Sequence, residues 1–306
     1  MTDRDRTGPT HIHQAFGLTW ASDVPLHDFD VSRPLAPGQV PDIVVEQTDA
    51  LPVTRTGLVP VNRGAVCAEG VRFRWGNQVS FDTYGADRVV WQAGSAWTGQ
   101  MPQPFFSTLT ALLLAWRGML PMHGSAVEIG GRGYLICGVS GAGKSTLAAG
   151  LVALGARLIS DDLTVVMQGR DGQALEMVRG RSGIRLVPQI ARYFEQSVPH
   201  IEPPERRDRK LLVRTTMVPQ GQHVPLAGIV LRGLPTEPVA TADRAGMVQE
   251  QVFRKVWMSA LPGRQHREAL IRQIAAAVPL FSVERGAFGD RHDFLDQAGK
   301  VMERLA

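Results

Sequence analysis

The chain has 306 residues, room for one large domain or two smaller ones, and its 44% hydrophobic and 20% charged composition excludes a disordered or collagen-like protein. A formal charge of +4 suits phosphate ligands without calling for nucleic acid. Two cysteines, Cys67 and Cys137, supply neither a disulfide framework nor a zinc-binding spacing.

In chain order, the opening "MTDRDRTGPT" is polar and charged, so no secretory signal is expected and the cytoplasm is the expected compartment. "HIH" (11–13) sets two imidazoles on one side of a strand, with no third metal ligand nearby. "VRFRW" (71–75), "QVSFDTY" (78–84) and "RVVWQAG" (88–94) carry β-branched and aromatic residues between "GN" and "GAD" turns, and read as strands. Residues 1–103 are therefore expected to form a β-rich N-terminal domain, with a boundary at "MPQP" (101–104). A helix is expected over 105–118. Its apolar run "LTALLLAW" (109–116) is far too short to span a bilayer, so no membrane partner is expected. "SAVEI" and "GYLIC" read as two strands joined by the "GGR" turn, with Cys137 as buried packing. Strands "RLIS" and "LTVVM" flank "DD", and helices are expected at about 249–260, 265–277 and 293–305.

The chemistry begins at "GVSGAGKSTLAAGL" (138–151). The pattern G-x-x-x-x-G-K-[ST] lies between a short apolar strand and a helix, which is the context a P-loop requires. Gly138, Gly141 and Gly143 let the backbone curl round an anion, and the helix N-terminus favours negative charge. Gly138, Val139, Ser140, Gly141, Ala142, Gly143, Lys144, Ser145 and Thr146 are thus the expected nucleotide-binding loop. Lys144 is expected on the β/γ-phosphates and Ser145 on Mg2+. A nucleophile elbow is excluded, because Ala142 stands where the second glycine of G-x-S-x-G belongs.

A P-loop needs a further acid for Mg2+ or for the nucleophile. Asp161 and Asp162 lie at a strand end beyond the P-loop helix. Adjacent carboxylates cannot face the same way, so one can approach Mg2+ while the other reaches a substrate hydroxyl. His123, in "PMHGSAV", precedes the hairpin that returns to the loop and could tune such an acid. Arg179, Arg181, Arg185, Arg209 and Lys210 are candidates for contacting phosphate. The basic run "RRDRK" (206–210) lacks the interleaved aromatics of a nucleic-acid surface, and no nucleic-acid partner is expected.

These residues carry a resemblance. "HGSAVEI…YLICGVSGAGKSTLAAGLVALGARLISDDLTVV" resembles the catalytic domain of the HPr kinase/phosphorylase family over about 121–167. The resemblance implies an α/β P-loop kinase domain over 104–306, with the HPr kinase/phosphoenolpyruvate carboxykinase type of fold. It implies Asp161 as the base toward a serine hydroxyl, His123 as its electrostatic support, and Asp162 with Ser145 as Mg2+ ligands. ATP and Mg2+ are the implied cofactors. Two departures bear on the reverse, phosphorylase reaction: Thr146 replaces the family's Glu, and the family signature appears only loosely, as "LEMVRGRSGI" (175–184). "HQAFGLTWASDVPL" (13–26) and "GIRLVP" (183–188) instead resemble the HPr-kinase-like proteins of peptide-modifying gene clusters, including lasso-peptide precursor kinases.

The expected function is ATP- and Mg-dependent phosphorylation of serine on a peptide or small protein, with a homo-oligomer left open. Two alternatives stand beside it: a kinase of a small hydroxylated metabolite, and a nucleotide-dependent regulator with little transferase activity. A transporter-type ATPase is disfavoured, since no LSGGQ-like stretch occurs.

Overall fold

The computed structural model describes residues 10–52, 55–169, 172, 174–194, 201–202, 210–233, 243–284 and 291–305. The chain forms two compact units, Met1–Gly118 with Arg254–Arg264, and Met119–Phe253 with Gln265–Ala306.

The first unit is β-rich. Its strands are β1 (His11–Ala15), β2 (Leu18–Ser22), β3 (Asp30–Val31), β4 (Ile43–Gln47), β5 (Val59–Val61), β6 (Gly64–Cys67), β7 (Gly70–Trp75), β8 (Val79–Tyr84) and β9 (Arg88–Ala93). They join in one sheet, ordered β3-β1-β2-β4-β9-β8-β7-β6-β5. From β9 to β5 this is an antiparallel meander, with Phe81 opposite Trp91 and Phe73 opposite Phe81. The alternation in "VRFRW" is the cause: Val71 and Phe73 point inward while Arg72 and Arg74 do not. The expected helix begins as a π-helical turn, Phe105–Leu109, and continues as α1 (Thr110–Trp116). Phe105 and Phe106 close an aromatic core with Trp20, Phe29 and Phe81, at centroid separations of 4.9–6.4 Å. Each such buried ring stabilises the unit by about 1.5–3 kcal/mol.

The second unit is α/β. It holds β10 (Leu120–His123), β11 (Ser125–Ile129), β12 (Arg132–Gly138), α2 (Lys144–Ala153), β13 (Arg157–Ser160), β14 (Leu163–Gln168), β15 (Leu175–Val178), β16 (Ile184–Leu186), α3 (Pro188–Ala191), β17 (Ile201–Glu202), β18 (Leu211–Val213), β19 (His223–Arg232) and α4 (Arg244–Glu250). After α5 (Lys255–Ala260), in the segment that returns to the first unit, come α6 (Arg264–Ala277), β20 (Leu280–Val283) and α7 (Arg291–Leu305). The main sheet runs β10-β14-β15-β19-β12-β11-β13, and β20 pairs with the far half of β19. β16, β18 and β17 form a small sheet beside it.

Only β12–β19 and β19–β20 are parallel among the pairs of the second unit. A uniformly parallel, doubly wound sheet is thereby excluded. β12, apolar from Tyr134 to Cys137, is buried at the centre and delivers Gly138 opposite Arg232. α2 covers the sheet through Leu147 and Leu151 and packs on α7, whose Phe294 and Ala298 sit against Gly150. A side chain at Gly150 would meet the Ala298 Cβ at 2.7 Å, so glycine sets how closely the two helices approach.

The helix expected over 249–260 is broken. α4 ends at Glu250, Arg254 adopts a left-handed backbone (φ 50°), and α5 starts at Lys255. The reason is strand-like pairing of the intervening residues with β10: the Phe253 N–H donates to the Pro121 carbonyl, and the His123 N–H to the Gln251 carbonyl.

Candidate active site

The P-loop is the turn between β12 and α2. Gly138, Gly141 and Gly143 have φ of 139°, 79° and 84°, angles that L side chains rarely adopt. A Cβ at Gly138 would also lie 2.3 Å from the Arg232 carbonyl of the neighbouring parallel strand. The first turn of α2 carries no side-chain cap and no acidic residue, so its end offers donors and partial positive charge to an anion. These features fit the phosphates of a nucleotide. The buried Lys144 ammonium donates to the carbonyls of Gly138 (2.9 Å) and Val139 (3.2 Å). Burial holds its pKa below the usual lysine value.

Two residues that sequence reasoning passed over brace this loop. Arg232, almost fully buried, donates from Nε to the Ala142 carbonyl at 2.7 Å. Gln251 accepts the Gly138 N–H on Oε1 at 3.0 Å, while its own carbonyl accepts the His123 N–H at 2.7 Å. A single residue therefore touches both the first residue of the loop and the strand end bearing His123. Neither belongs to a local motif: Arg232 lies 94 residues from Gly138, its strand partner, and Gln251 lies 113 residues from the Gly138 N–H that its side chain accepts.

The Asp pair divides its labour. Asp161 is 4% exposed, and its carboxylate accepts the Ser125 hydroxyl on Oδ1 (2.6 Å) and the Arg185 N–H on Oδ2 (2.9 Å). Asp162 follows in the left-handed region (φ 67°), which turns its side chain away from that buried anchor. Its side chain is 42% exposed, with Oδ1 3.6 Å from His123 Nδ1 and Oδ2 3.7 Å from Arg181 Nη1. His123, expected to support Asp161 electrostatically, makes its ion-pair contact with Asp162, while the Asp161 charge still acts on it from farther away. The physical reason is register: His123 lies opposite Leu163 across β10–β14, one residue beyond Asp162. Burial, and then the Lys144 charge, keep the His123 pKa below its usual value, so the ring is neutral near pH 7.

The basic candidates separate as well. Arg179 donates to the Val218 carbonyl at 3.0 Å, away from the carboxylates. Arg185 meets Asp161 through its backbone. Arg181 faces Asp162 with its side chain, and exposed Lys210 is close enough for its charge to act on Lys144. Arg209 lies outside the described residues. Glu176 of "LEMVRGRSGI" is engaged by His223, 2.7 Å away. In the "HIH" segment, His13 Nε2 accepts the Leu26 N–H at 3.1 Å, a structural bond. Among the described residues, no group of three or more His, Cys, Asp or Glu side chains could hold a metal ion. Burial pushes the Cys137 thiol up to about 12, consistent with an inert packing residue. No described helix is long and apolar enough to cross a membrane.

A P-loop strand, a helix N-terminus, a buried lysine and a half-exposed carboxylate beside a histidine are the groups that phosphate binding and phosphoryl transfer would call on. Residues 118–183 match the model of the HPr Serine kinase C-terminal domain, so the chain is similar to that family over this segment. It is 43% identical over 68 residues to the HPr kinase/phosphorylase of Chloroherpeton thalassium, covering 22% of this chain and 19% of that protein. It is 55% identical over 47 residues to the HPr kinase/phosphorylase of Lactobacillus acidophilus, covering 15% of each. The chain thus spans less than a quarter of the length of these relatives. A solved Hpr(Ser) kinase/phosphatase from Coxiella burnetii aligns at 16% identity over 39% of this chain and 69% of that one, with a TM-score of 0.26, too slight a likeness to bear on the fold.

Proposed function

We propose that the protein is an ATP- and Mg-dependent kinase that phosphorylates a serine hydroxyl on a peptide or small protein. The observation that carries this reading is the half-exposed Asp162 carboxylate flanked by His123 and Arg181, in a domain whose P-loop lysine is also buried. Mg-ATP held by the loop supplies the phosphoryl group. Residues 138–146 bind the phosphates, Lys144 neutralises them, and Ser145 holds Mg2+ together with phosphate oxygens.

Asp162, expected from the resemblance on Mg2+, is assigned instead to the acceptor, and Asp161, expected as the base, is not, because Asp161 has both oxygens engaged inside the fold. Asp162 would take the proton from the serine hydroxyl as that oxygen bonds to the γ-phosphorus and the bond to the β–γ bridging oxygen breaks, releasing ADP. With its pKa lowered, His123 adds no full positive charge beside the carboxylate near pH 7 and so does not weaken it as a proton acceptor. Asp161 acts as a positioning residue that fixes the turn. The HPr kinase names of the relatives support a protein serine as acceptor. The precursor-peptide acceptor rests on the resemblance of residues 13–26 and 183–188.

The test is mass spectrometry of acceptors incubated with Mg-ATP: HPr, a genomically adjacent precursor peptide, its Ser→Ala version, free serine and common metabolites. Phosphate on a serine of HPr or of the peptide supports the reading. Phosphate only on a metabolite overturns it in favour of small-molecule phosphorylation, and nucleotide binding without any transfer favours the regulator.

A further inference from the structure

The segment between β15 and β16 is pinned at several points. The Gly180 N–H donates to the Ile159 carbonyl (2.9 Å), the Gly183 N–H to Met217 Sδ (3.2 Å), and Arg179 to the Val218 carbonyl (3.0 Å). Beyond it, the Arg185 N–H closes onto Asp161. Between the pins, Arg181 and Ser182 are buried, at 4% and 2% exposure. A guanidinium is rarely buried to that degree without an anion to face. The anion here is Asp162, whose Oδ2 lies 3.7 Å from Arg181 Nη1.

We infer that Arg181 is a positioning residue for the transfer step: its buried guanidinium holds one oxygen of Asp162 so that the carboxylate keeps a single orientation toward the acceptor hydroxyl. The inference rests on the reading of Asp162 as proton acceptor. Its geometric basis is the division of the two oxygens, one facing His123 and the other Arg181. The backbone of Asp162 is already fixed, by its left-handed conformation and by the Asp161 anchor one residue before it. What remains free is rotation of the side chain. At 3.7 Å the contact is an ion pair and not a hydrogen bond, so it acts through charge. The guanidinium is buried while the carboxylate is half-exposed, so salt weakens the pair less than it would a fully exposed one. A guanidinium also keeps its proton at any working pH and presents a planar face, which a lysine cannot reproduce.

The experiment compares Arg181→Met, Arg181→Lys and Arg181→Ala in the full chain, each also in an Asp162→Asn background. It reads transfer kcat, KM for Mg-ATP and melting temperature. Arg181→Met should lower kcat on the order of tenfold to a hundredfold, the scale of a misplaced reacting group, with KM for Mg-ATP within about twofold. Arg181→Lys should recover part of the loss, and added guanidinium should raise the rate of Arg181→Ala. In the Asp162→Asn background Arg181→Met should cost no more than about twofold further, because the group it positions is gone. An equal loss in both backgrounds, a rise in KM for Mg-ATP with kcat unchanged, or a kcat loss that simply tracks a fallen melting temperature in both Arg181→Met and Arg181→Lys overturns the inference alone. A wild-type protein that transfers phosphate to no hydroxyl, or an Asp162→Asn variant as active as wild type, overturns the reading of the site and this inference with it.

Discussion

Exchanging each aspartate of the pair for asparagine should tell the positioning residue from the base. Asp161 accepts two hydrogen bonds in a buried setting, from the Ser125 hydroxyl and the Arg185 N–H. Bonds to a charged acceptor contribute about 1.5–3 kcal/mol each, so Asp161→Ala should destabilise the second unit by roughly 3–6 kcal/mol. Asp161→Asn is milder. The amide oxygen can keep the Arg185 N–H, and the Ser125 hydroxyl can rotate to accept from the amide NH2, leaving a cost of about 1–2 kcal/mol. At about 2–4 °C per kcal/mol for a domain of this size, that lowers Tm by several degrees, with transfer reduced less than about tenfold. Asp162 is half-exposed and left-handed, a conformation Asn tolerates as well as Asp. The backbone is thus unstrained, but the exchange removes the anion that buried Arg181 faces, so Asp162→Asn should cost about 1–2 kcal/mol, screened by the exposure of Asp162. Its transfer rate should fall about 10²–10⁴-fold, the usual contribution of a general base. The assays are thermal melting of each variant and transfer of labelled γ-phosphate to the accepted serine substrate. Normal transfer by Asp162→Asn, with none by an Asp161→Asn variant that melts like wild type, would refute the assignment and restore Asp161 as the base.

Three further outcomes are expected. Lys144→Met should abolish transfer and weaken Mg-ATP binding, yet melt at or above the wild-type temperature, because burial already disfavours the ammonium in the folded state; a clear drop in Tm contradicts this. Gln251→Met leaves the Gly138 N–H without its acceptor, which should cost about 1–2 kcal/mol and raise KM for ATP several-fold; calorimetric titration showing wild-type ATP affinity would remove Gln251 from the loop's support. Burial also depresses the pKa of both His13 and His123, so the unfolded chain takes up their protons first as pH falls. Their contribution to stability is complete above the unfolded value of about 6.5 and is lost as pH drops through their lower folded values. Melting temperature should thus decline below about pH 6.5, with a shallower slope in His13→Asn, and an unchanged Tm down to pH 5 refutes the shift.

The sequence by itself determined the elements whose pattern is local. Alternation in "VRFRW" and "QVSFDTY" was enough for the meander, and the glycine spacing with Lys144 was enough for a strand–loop–helix phosphate site, because backbone angles and hydrophobic period act over a few residues. The order His123, P-loop, Asp161–Asp162 was also legible as a set of candidate residues. Only the tertiary structure decided what each does. Adjacent aspartates are indistinguishable as letters, but a left-handed Asp162 sends one carboxylate inward to Ser125 and Arg185 and the other outward to His123 and Arg181. Periodicity over 249–260 indicated one helix, whereas pairing of residues 251–253 with β10 outweighed local propensity and placed Gln251 on the P-loop. Arg232 reaches the loop only because β19 runs parallel to β12 at its side, a neighbour 94 residues away that no local signal could indicate. The return of residues 254–264 to the β-rich unit is of the same kind: Trp257 packs on Phe73, and side-chain burial between distant segments leaves no trace in either stretch alone.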